Sequence, residues 1–417
     1  MNFIKTPVKG MPEQMPSDMV LREYVLKTIK QTYFNYGFSQ IETPIVEHIE
    51  NLTSNQGGEN EKLIFKILKR GEKLENTTSV DELCDCGLRY DLTVPLSRFY
   101  ANNNSSLPMP FKAFQIGNVF RADRPQKGRY RQFTQCDIDV LGDNTNLAEI
   151  ELISATTKVL NNLGIKDIKI IVNDRNILKA MAKSCNFPEE KFDSIFIILD
   201  KLDKIGVNGV KENLIELGLD EKDVVKYCKY FSINKESNSC KSFFGNSLNN
   251  YIDEEVLNNL DQIISISTKI LSNDCHVVFS PTLVRGMSYY TGPIFEIQLA
   301  DYQLSVCGGG RYDEMIGKFC GTKVCACGLS IGFERIIEIL KTNNFNANTQ
   351  VKCTAILIAK DANSDKVYKA LLKANQLRDK GERVLISPRN KNVKFQKDNL
   401  ITLGYTEFID VFNDSEI

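Results

Sequence analysis

The chain has 417 residues, 42% hydrophobic and 25% charged, with a formal net charge of −1, twelve cysteines and two histidines. That length supports two or three domains with their own cores, and that composition is soluble and globular. No apolar run is long enough to span a bilayer, and no global charge attracts nucleic acid, so a polyanion would have to be held by a local patch. The N-terminal "MNFIKTPVKGMPEQMPSD" lacks the apolar core of a secretory signal, so we expect a cytoplasmic protein with reduced thiols.

In chain order, residues 18–36 carry apolar residues at helical spacing and Gly37 stops them. "GFSQIETPIVEH" predicts a strand interrupted at Pro44, "KLIFKIL" a strand, and "LRYDLTVPLSRFY" a strand turning helical after Pro95. The polar "KRGEKLENTTSVDELCDCG" between them predicts a loop or long hairpin. "FKAFQIGNVFR" and "RQFTQCDIDVLG" predict an antiparallel pair with a long basic tip. A helix over 146–164 and the strand "IKIIVND" follow, then a mostly helical insertion over 175–272. Strands return in "HVVFSPTLVRGMSYYTGPIFEIQL" and "YQLSVCGGGRYDEMIG", and "CACGLSIGFERIIEILK" reads as a strand running into a helix. A polar linker precedes a βαβαβ tail with a partly parallel sheet. The expected domains are 1–174 and 273–342 for a core in two parts, 175–272 for the insertion, 343–350 for the linker, and 351–417 for the tail.

Chemistry concentrates in "RADRPQKGRYRQFTQCDID". Five cations, Arg121, Arg124, Lys127, Arg129 and Arg131, fall within eleven residues, and Asp137 and Asp139 follow. Two further arginines stand in glycine-punctuated apolar stretches, Arg285 in "LVRGMSYYTG" and Arg335 in "GLSIGFERI". A planar, permanently charged fork suits phosphate oxygens. Taken alone, these residues fit either a polyphosphate grip or unrelated surface arginines. The glycines of "GGGRYDEMIG" fit either close backbone approach to a ligand or a turn. The chain holds no Walker-type phosphate loop. The C-x-C pairs Cys84/Cys86 and Cys325/Cys327 are narrower than zinc pairs, and His48 and His276 are isolated, so no zinc is expected.

Together these stretches resemble the class II histidyl-tRNA synthetases. "YGFSQIETPIVE" is similar to motif 1 and "FQIGNVFRADRPQKGRYRQFTQCDID" to motif 2. "LVRGMSYYTG" and "GGGRYDEMIG" are similar to the two histidine signatures, and "GLSIGFERI" to motif 3, all in the family's order across roughly residues 5–342. The resemblance implies an α+β catalytic core, an antiparallel sheet flanked by helices, with a helical insertion and a small C-terminal α/β domain. It implies ATP with Mg2+, histidine and tRNA as substrates, no membrane, and a homodimer joined through motif 1. Arg121 and Arg285 would be catalytic, with Arg121, Arg129 and Arg335 on ATP. Asp91, Thr93, Gln135, Asp139, Arg285, Tyr289, Tyr290 and Tyr312 would bind histidine, with Asp139 and Tyr290 at the ring. Arg124, Gln126 and Lys127 would reach the tRNA acceptor end.

Two features differ from the family pattern. Ser288 stands where an acid is expected before the tyrosine pair, and the tail is shorter than the family's anticodon-binding domain. Two alternatives follow: a paralogue making adenylate for another acceptor, or a non-catalytic histidine-sensing regulatory subunit of ATP phosphoribosyltransferase. A pure sensor has no need of three phosphate-binding arginines and a basic loop.

Overall fold

The computed structural model describes residues 3–53, 58–75, 79, 82–126, 128–232, 236–285, 289–299, 304–345 and 352–416. Lys127, Ser288 and most of the expected linker lie outside them. The chain forms two compact units, Met1–Pro12 with Thr28–Ile339, and Glu13–Lys27 with Leu340–Ile417.

Helix α1 (Pro16–Asn35) buries Leu21, Val25, Ile29 and Tyr33, one residue per turn. Gly37 stops it with φ +78°, a conformation that costs glycine little. The stretch after it contributes two short strands, β1 (Ser39–Gln40) and β2 (Val46–His48), on either side of Pro44. Helix α2 (Ile49–Thr53) follows. Strand β3 (Lys66–Leu68), the one-turn α3 (Glu72–Glu75) and β4 (Cys84–Leu88) then form a long antiparallel hairpin, with β2 on the other side of β4. Helix α4 (Thr93–Asn103) starts before Pro95, earlier than the sequence predicts. Pro95 sits in the first turn, where its missing N–H is one that a helix leaves unpaired anyway.

The large sheet is built from β1, β5 (Phe111–Phe120), β6 (Gln132–Leu141), β7 (Ile168–Asp174), β8 (Cys275–Phe279), β9 (Pro293–Leu299), β10 (Leu304–Arg311) and β11 (Ala326–Gly332). Its order is β1-β5-β6-β11-β10-β9-β7-β8, antiparallel except for the parallel pairs β1·β5 and β7·β8 at its edges. Helix α5 (Leu147–Asn162) connects β6 to β7 and is tied to β10 by a buried bidentate pair, Arg311 Nε to Glu149 Oε1 at 2.6 Å and Nη2 to Oε2 at 2.8 Å. Among the described residues, six α-helices lie between β7 and β8. They are α6 (Arg175–Ser184), α7 (Phe192–Leu199), α8 (Leu202–Glu216), α9 (Glu221–Ser232), α10 (Cys240–Phe244) and α11 (Glu254–Ile270). Helices α12 (Asp313–Cys320) and α13 (Phe333–Thr342) follow β10 and β11.

The "GGGR" run is a strand in the middle of this sheet, not a turn. A Cβ on Gly309 would stand 2.0 Å from the Gly328 carbonyl oxygen, so the backbones meet where only glycine fits.

In the C-terminal unit, β12 (Cys353–Ile358), α14 (Ser364–Asp379), β13 (Arg383–Pro388), α15 (Val393–Thr402) and β14 (Glu407–Val411) form the expected βαβαβ order. The sheet is wholly parallel, with β12 central. Alternation along β12 sends Ala355 and Leu357 toward Leu400 of α15, and Ile356 toward Ala370 and Ala374 of α14.

Candidate active site

Opposed residues on neighbouring strands share a face, so the register of the large sheet determines what its open face presents. One row runs from Asp137 on β6 through Ser330 on β11 and Gly308 on β10 to Glu296 on β9. A second, two residues along β6, runs Asp139, Gly328, Gly310, Ile294. On the other side Gln135 opposes Gly332. Two of these glycines make room for charged groups. A Cβ on Gly308 would lie 2.1 Å from an Arg285 Nη, and one on Gly328 would lie 1.9 Å from Asp139 Oδ1.

Above these rows is a cavity of about 670 Å³. Its lining includes Arg121, Arg129, Arg285 and Arg335, and also Asp91, Thr93, Gln135, Tyr289, Tyr290 and Tyr312. Arg121, at the end of β5, lies over the Tyr90 ring at 4.3 Å and near the Phe133 ring at 5.2 Å, and its Nε donates to the Tyr90 carbonyl at 3.2 Å. These contacts leave the remaining guanidinium donors for the cavity. Arg285 lies across Gly308 and pairs with Glu296 at 2.8 Å. Burial opposes its charge, but Tyr290 and Glu296 beside it hold its pKa above the ordinary value. Arg335 donates to the Ser305 carbonyl, and burial lowers its pKa. Arg129 is bidentate with Asp123, at 3.0 and 3.2 Å.

The loop joining β5 and β6 folds on itself through paired backbone bonds between Gln126 and Arg129, with Gly128 at φ +72°. Arg124 and Gln126 are exposed there, outside the cavity lining. Lys127 falls outside the described residues.

The acceptor wall is buried. Asp91 Oδ1 accepts the Val94 N–H at 3.0 Å in the first turn of α4, which places Thr93 at the cavity. Tyr312 donates to Asp139 Oδ1 at 2.5 Å, and Tyr289 stands edge-on to Tyr312 at 6.0 Å. Asp139 is beneath this pair rather than on the cavity lining, and Asp137 is on the lining. Burial raises the Asp139 carboxyl to about 7 against the pull of the Tyr312 hydroxyl. Burial and then the neighbouring Asp139 push Asp137 well above the carboxylate range. Gln135 donates to Ser330 Oγ at 2.8 Å, and Ser330 donates on to Asp137. Gln135 Oε1 is buried with no hydrogen-bond partner among the described residues.

The sequence matches the family profile described as Histidyl-tRNA synthetase over residues 10–336. The chain belongs to the histidyl-tRNA synthetase family. A histidine–tRNA ligase of Leifsonia xyli subsp. xyli is 39% identical over 421 residues, covering 98% of this chain and 96% of that one. The crystal structure of histidyl-tRNA synthetase from Nostoc sp. PCC 7120 is similar with a TM-score of 0.77 and 28% identity, over 97% of this chain and 90% of that one. A Bacillus halodurans C structure described as an ATP phosphoribosyltransferase regulatory subunit/histidyl-tRNA synthetase has a TM-score of 0.78 over 98% of this chain and 99% of that one. Its 21% identity speaks for the fold alone.

The histidyl-tRNA synthetase motifs account for most of the cavity, and five features escape sequence reasoning. Asp137 and Ser330 were open to the strand period, since Gln135, Asp137 and Asp139 alternate onto one face. Asp123, the partner of Arg129, lies inside the motif 2 stretch but drew no role from it. Glu296, the partner of Arg285, carries no motif signal. Nor does the junction of α7 and α8, where Leu199, Asp200, Leu202, Asp203 and Lys204 line the cavity. Among the described residues, no group of three or more His, Cys, Asp or Glu side chains could hold a metal ion. No helix among them is long and apolar enough to cross a membrane.

Proposed function

We propose that the chain is a histidine–tRNA ligase, which activates histidine with ATP and transfers it to tRNA. A histidine carboxylate oxygen attacks the α-phosphorus and pyrophosphate leaves, giving histidyl-adenylate. A terminal tRNA hydroxyl then attacks the acyl carbon and AMP leaves. Neither step needs a protein nucleophile; both need alignment and cations placed where charge develops. The observation that carries this reading is the convergence of Arg121, Arg129, Arg285 and Arg335 on one cavity facing a wall of buried acceptors.

In this reading Arg121 grips the α-phosphate, held flat by Tyr90 and Phe133. Arg285 steadies the reacting carboxylate and phosphate, while Arg129 and Arg335 take the rest of the triphosphate. Mg2+ arrives on the nucleotide as part of the substrate. Asp91, Thr93 and Gln135 stand at the amino group, and Tyr289 and Tyr290 wall the pocket. Tyr290 and Tyr312 face the ring, and Asp139 acts on it from behind Tyr312, whose hydroxyl it holds; an analogue lacking the ring N–H leaves this buried acceptor wall short of a donor. Arg124, Gln126 and Lys127 extend toward the tRNA acceptor end. The enzyme works in the cytoplasm as a homodimer.

The test is histidine-dependent ATP–pyrophosphate exchange beside aminoacylation of bulk tRNA. Both activities are expected. Exchange without charging points to another acceptor, and histidine binding with silence in both points to a sensor.

A further inference from the structure

The site contains a carboxylate that the motif comparison leaves without a task. Asp137 is 5% exposed and sits on the cavity lining between Gln135 and Asp139 along β6. Its hydrogen-bond donor is Ser330, whose hydroxyl also receives Gln135 Nε2. The three side chains form a relay that leaves Gln135 Oε1 buried and unpartnered among the described residues, although Gln135 itself is only 9% exposed. A carboxylate and an orphaned amide oxygen, side by side on a cavity, call for a ligand rich in N–H donors.

Which donor follows from the register. Asp137 shares its row with Gly308, over which Arg285 lies, and it is the same-face neighbour of Asp139 on β6. In the substrate reading, Arg285 takes the amino-acid carboxylate and Asp139 the ring. The α-carbon bonds directly to the carboxylate, the side chain and the ammonium, so the ammonium falls between those two ends. We propose that Asp137, with Gln135 Oε1, receives the α-ammonium of the substrate and helps the site require an α-amino acid. This rests on the proposed function.

The groups facing Asp137 fit a site completed by a cation. Asp139 lies on its own strand and Asp91 precedes α4. Arg121 and Arg89 are cations that couple to it, and Tyr33 and Tyr290 lie within its field in turn. From the flanking strands come Ser330 and Gln115, whose own amide is committed to Thr43 and the Leu92 carbonyl. Burial and then Asp139 raise the Asp137 pKa well above the carboxylate range. An arriving ammonium favours the ionised form and so opposes that rise, which links histidine binding to proton release.

The test is calorimetric titration of the intact protein with histidine and with 3-(imidazol-4-yl)propanoate, which is histidine without its amino group, in buffers of different ionisation enthalpy. For Asp137→Asn, histidine affinity falls on the order of 10- to 100-fold, the worth of a charged hydrogen bond. Affinity for the deamino analogue holds, and proton release on histidine binding is smaller than in the wild type. An equal loss for both ligands, or no loss, overturns the proposal. Ser330→Ala covers the case in which Asp137→Asn does not fold. It leaves the carboxylate without its hydroxyl donor, so the preference for histidine over the analogue drops severalfold; an unchanged preference overturns the proposal. Wild-type protein that binds no histidine removes the functional reading and this inference with it.

Discussion

Arg121 leaves the end of β5 with its guanidinium against two aromatic rings and one carbonyl, an arrangement that removes rotamer freedom before any ligand arrives. Arg121→Ala is therefore expected to leave the fold intact and reduce pyrophosphate exchange by roughly 10²- to 10³-fold, as for loss of one preorganised charge donor. Near-normal exchange in the variant would remove Arg121 from the chemistry. The buried carboxyls make a separate prediction about stability. Asp139 and Asp174 are each raised to about 7 by burial. An unfolded Asp loses its proton near pH ~3.9. Between that value and about 7 the folded chain keeps protons that the unfolded chain has released, so stability falls as pH rises through this window. The Tm of the ligand-free protein should drop from pH 5 to pH 8, and Asp139→Asn should make the drop shallower, as read by scanning calorimetry. A variant with the wild-type slope would show that Asp139 does not titrate there.

At the scale of the element, β10 shows how a glycine run serves a site. Gly308 and Gly309 are consecutive, yet they predict opposite outcomes. A methyl group at 308 meets the far end of the Arg285 side chain, which can swing aside. Gly308→Ala should keep its Tm and lose exchange activity with Arg285 displaced. A methyl group at 309 meets the Gly328 carbonyl oxygen and the Leu329 Cα, both backbone. Gly309→Ala should lower Tm sharply, because two strands of the central sheet must part. Comparable behaviour of the two variants in thermal denaturation would contradict this division. The hairpin of β5 and β6 divides its labour along its length. Its strands carry the acceptor wall inside the sheet, and its loop carries exposed Arg124 and Gln126.

At the scale of the molecule, a chain of net charge −1 has to hold polyanions locally. Neutralising Arg124 and Lys127 together should weaken tRNA binding, with ATP affinity little changed. The log–log salt dependence of tRNA binding should flatten by about one to two units, as expected for two lost phosphate contacts. Binding measured across a salt series checks this, and an unaltered slope would take the loop off the nucleic acid. The helices between β7 and β8 also bear on the site, because Leu199, Asp200, Leu202, Asp203 and Lys204 line the cavity although the sequence of this region carries no recognisable motif.

The sequence by itself determined the elements and the chemistry they carry. Local periodicity and glycine stops fixed α1, the β5–β6 pair and the tail's βαβαβ order. The arginines were legible because a fixed charge in an apolar, glycine-punctuated stretch is unusual. It misread the start of α4, since proline in a first turn looks the same in sequence as proline that ends a strand. It also left the "GGGR" run open between a turn and a close approach. Only the tertiary structure decided the pairings: Arg285 with Glu296 across Gly308, Tyr312 with Asp139 across Gly328, and Asp137 with Ser330. These depend on the register between strands far apart in the chain. Register is selected by the packing of whole faces, which no single stretch of sequence contains.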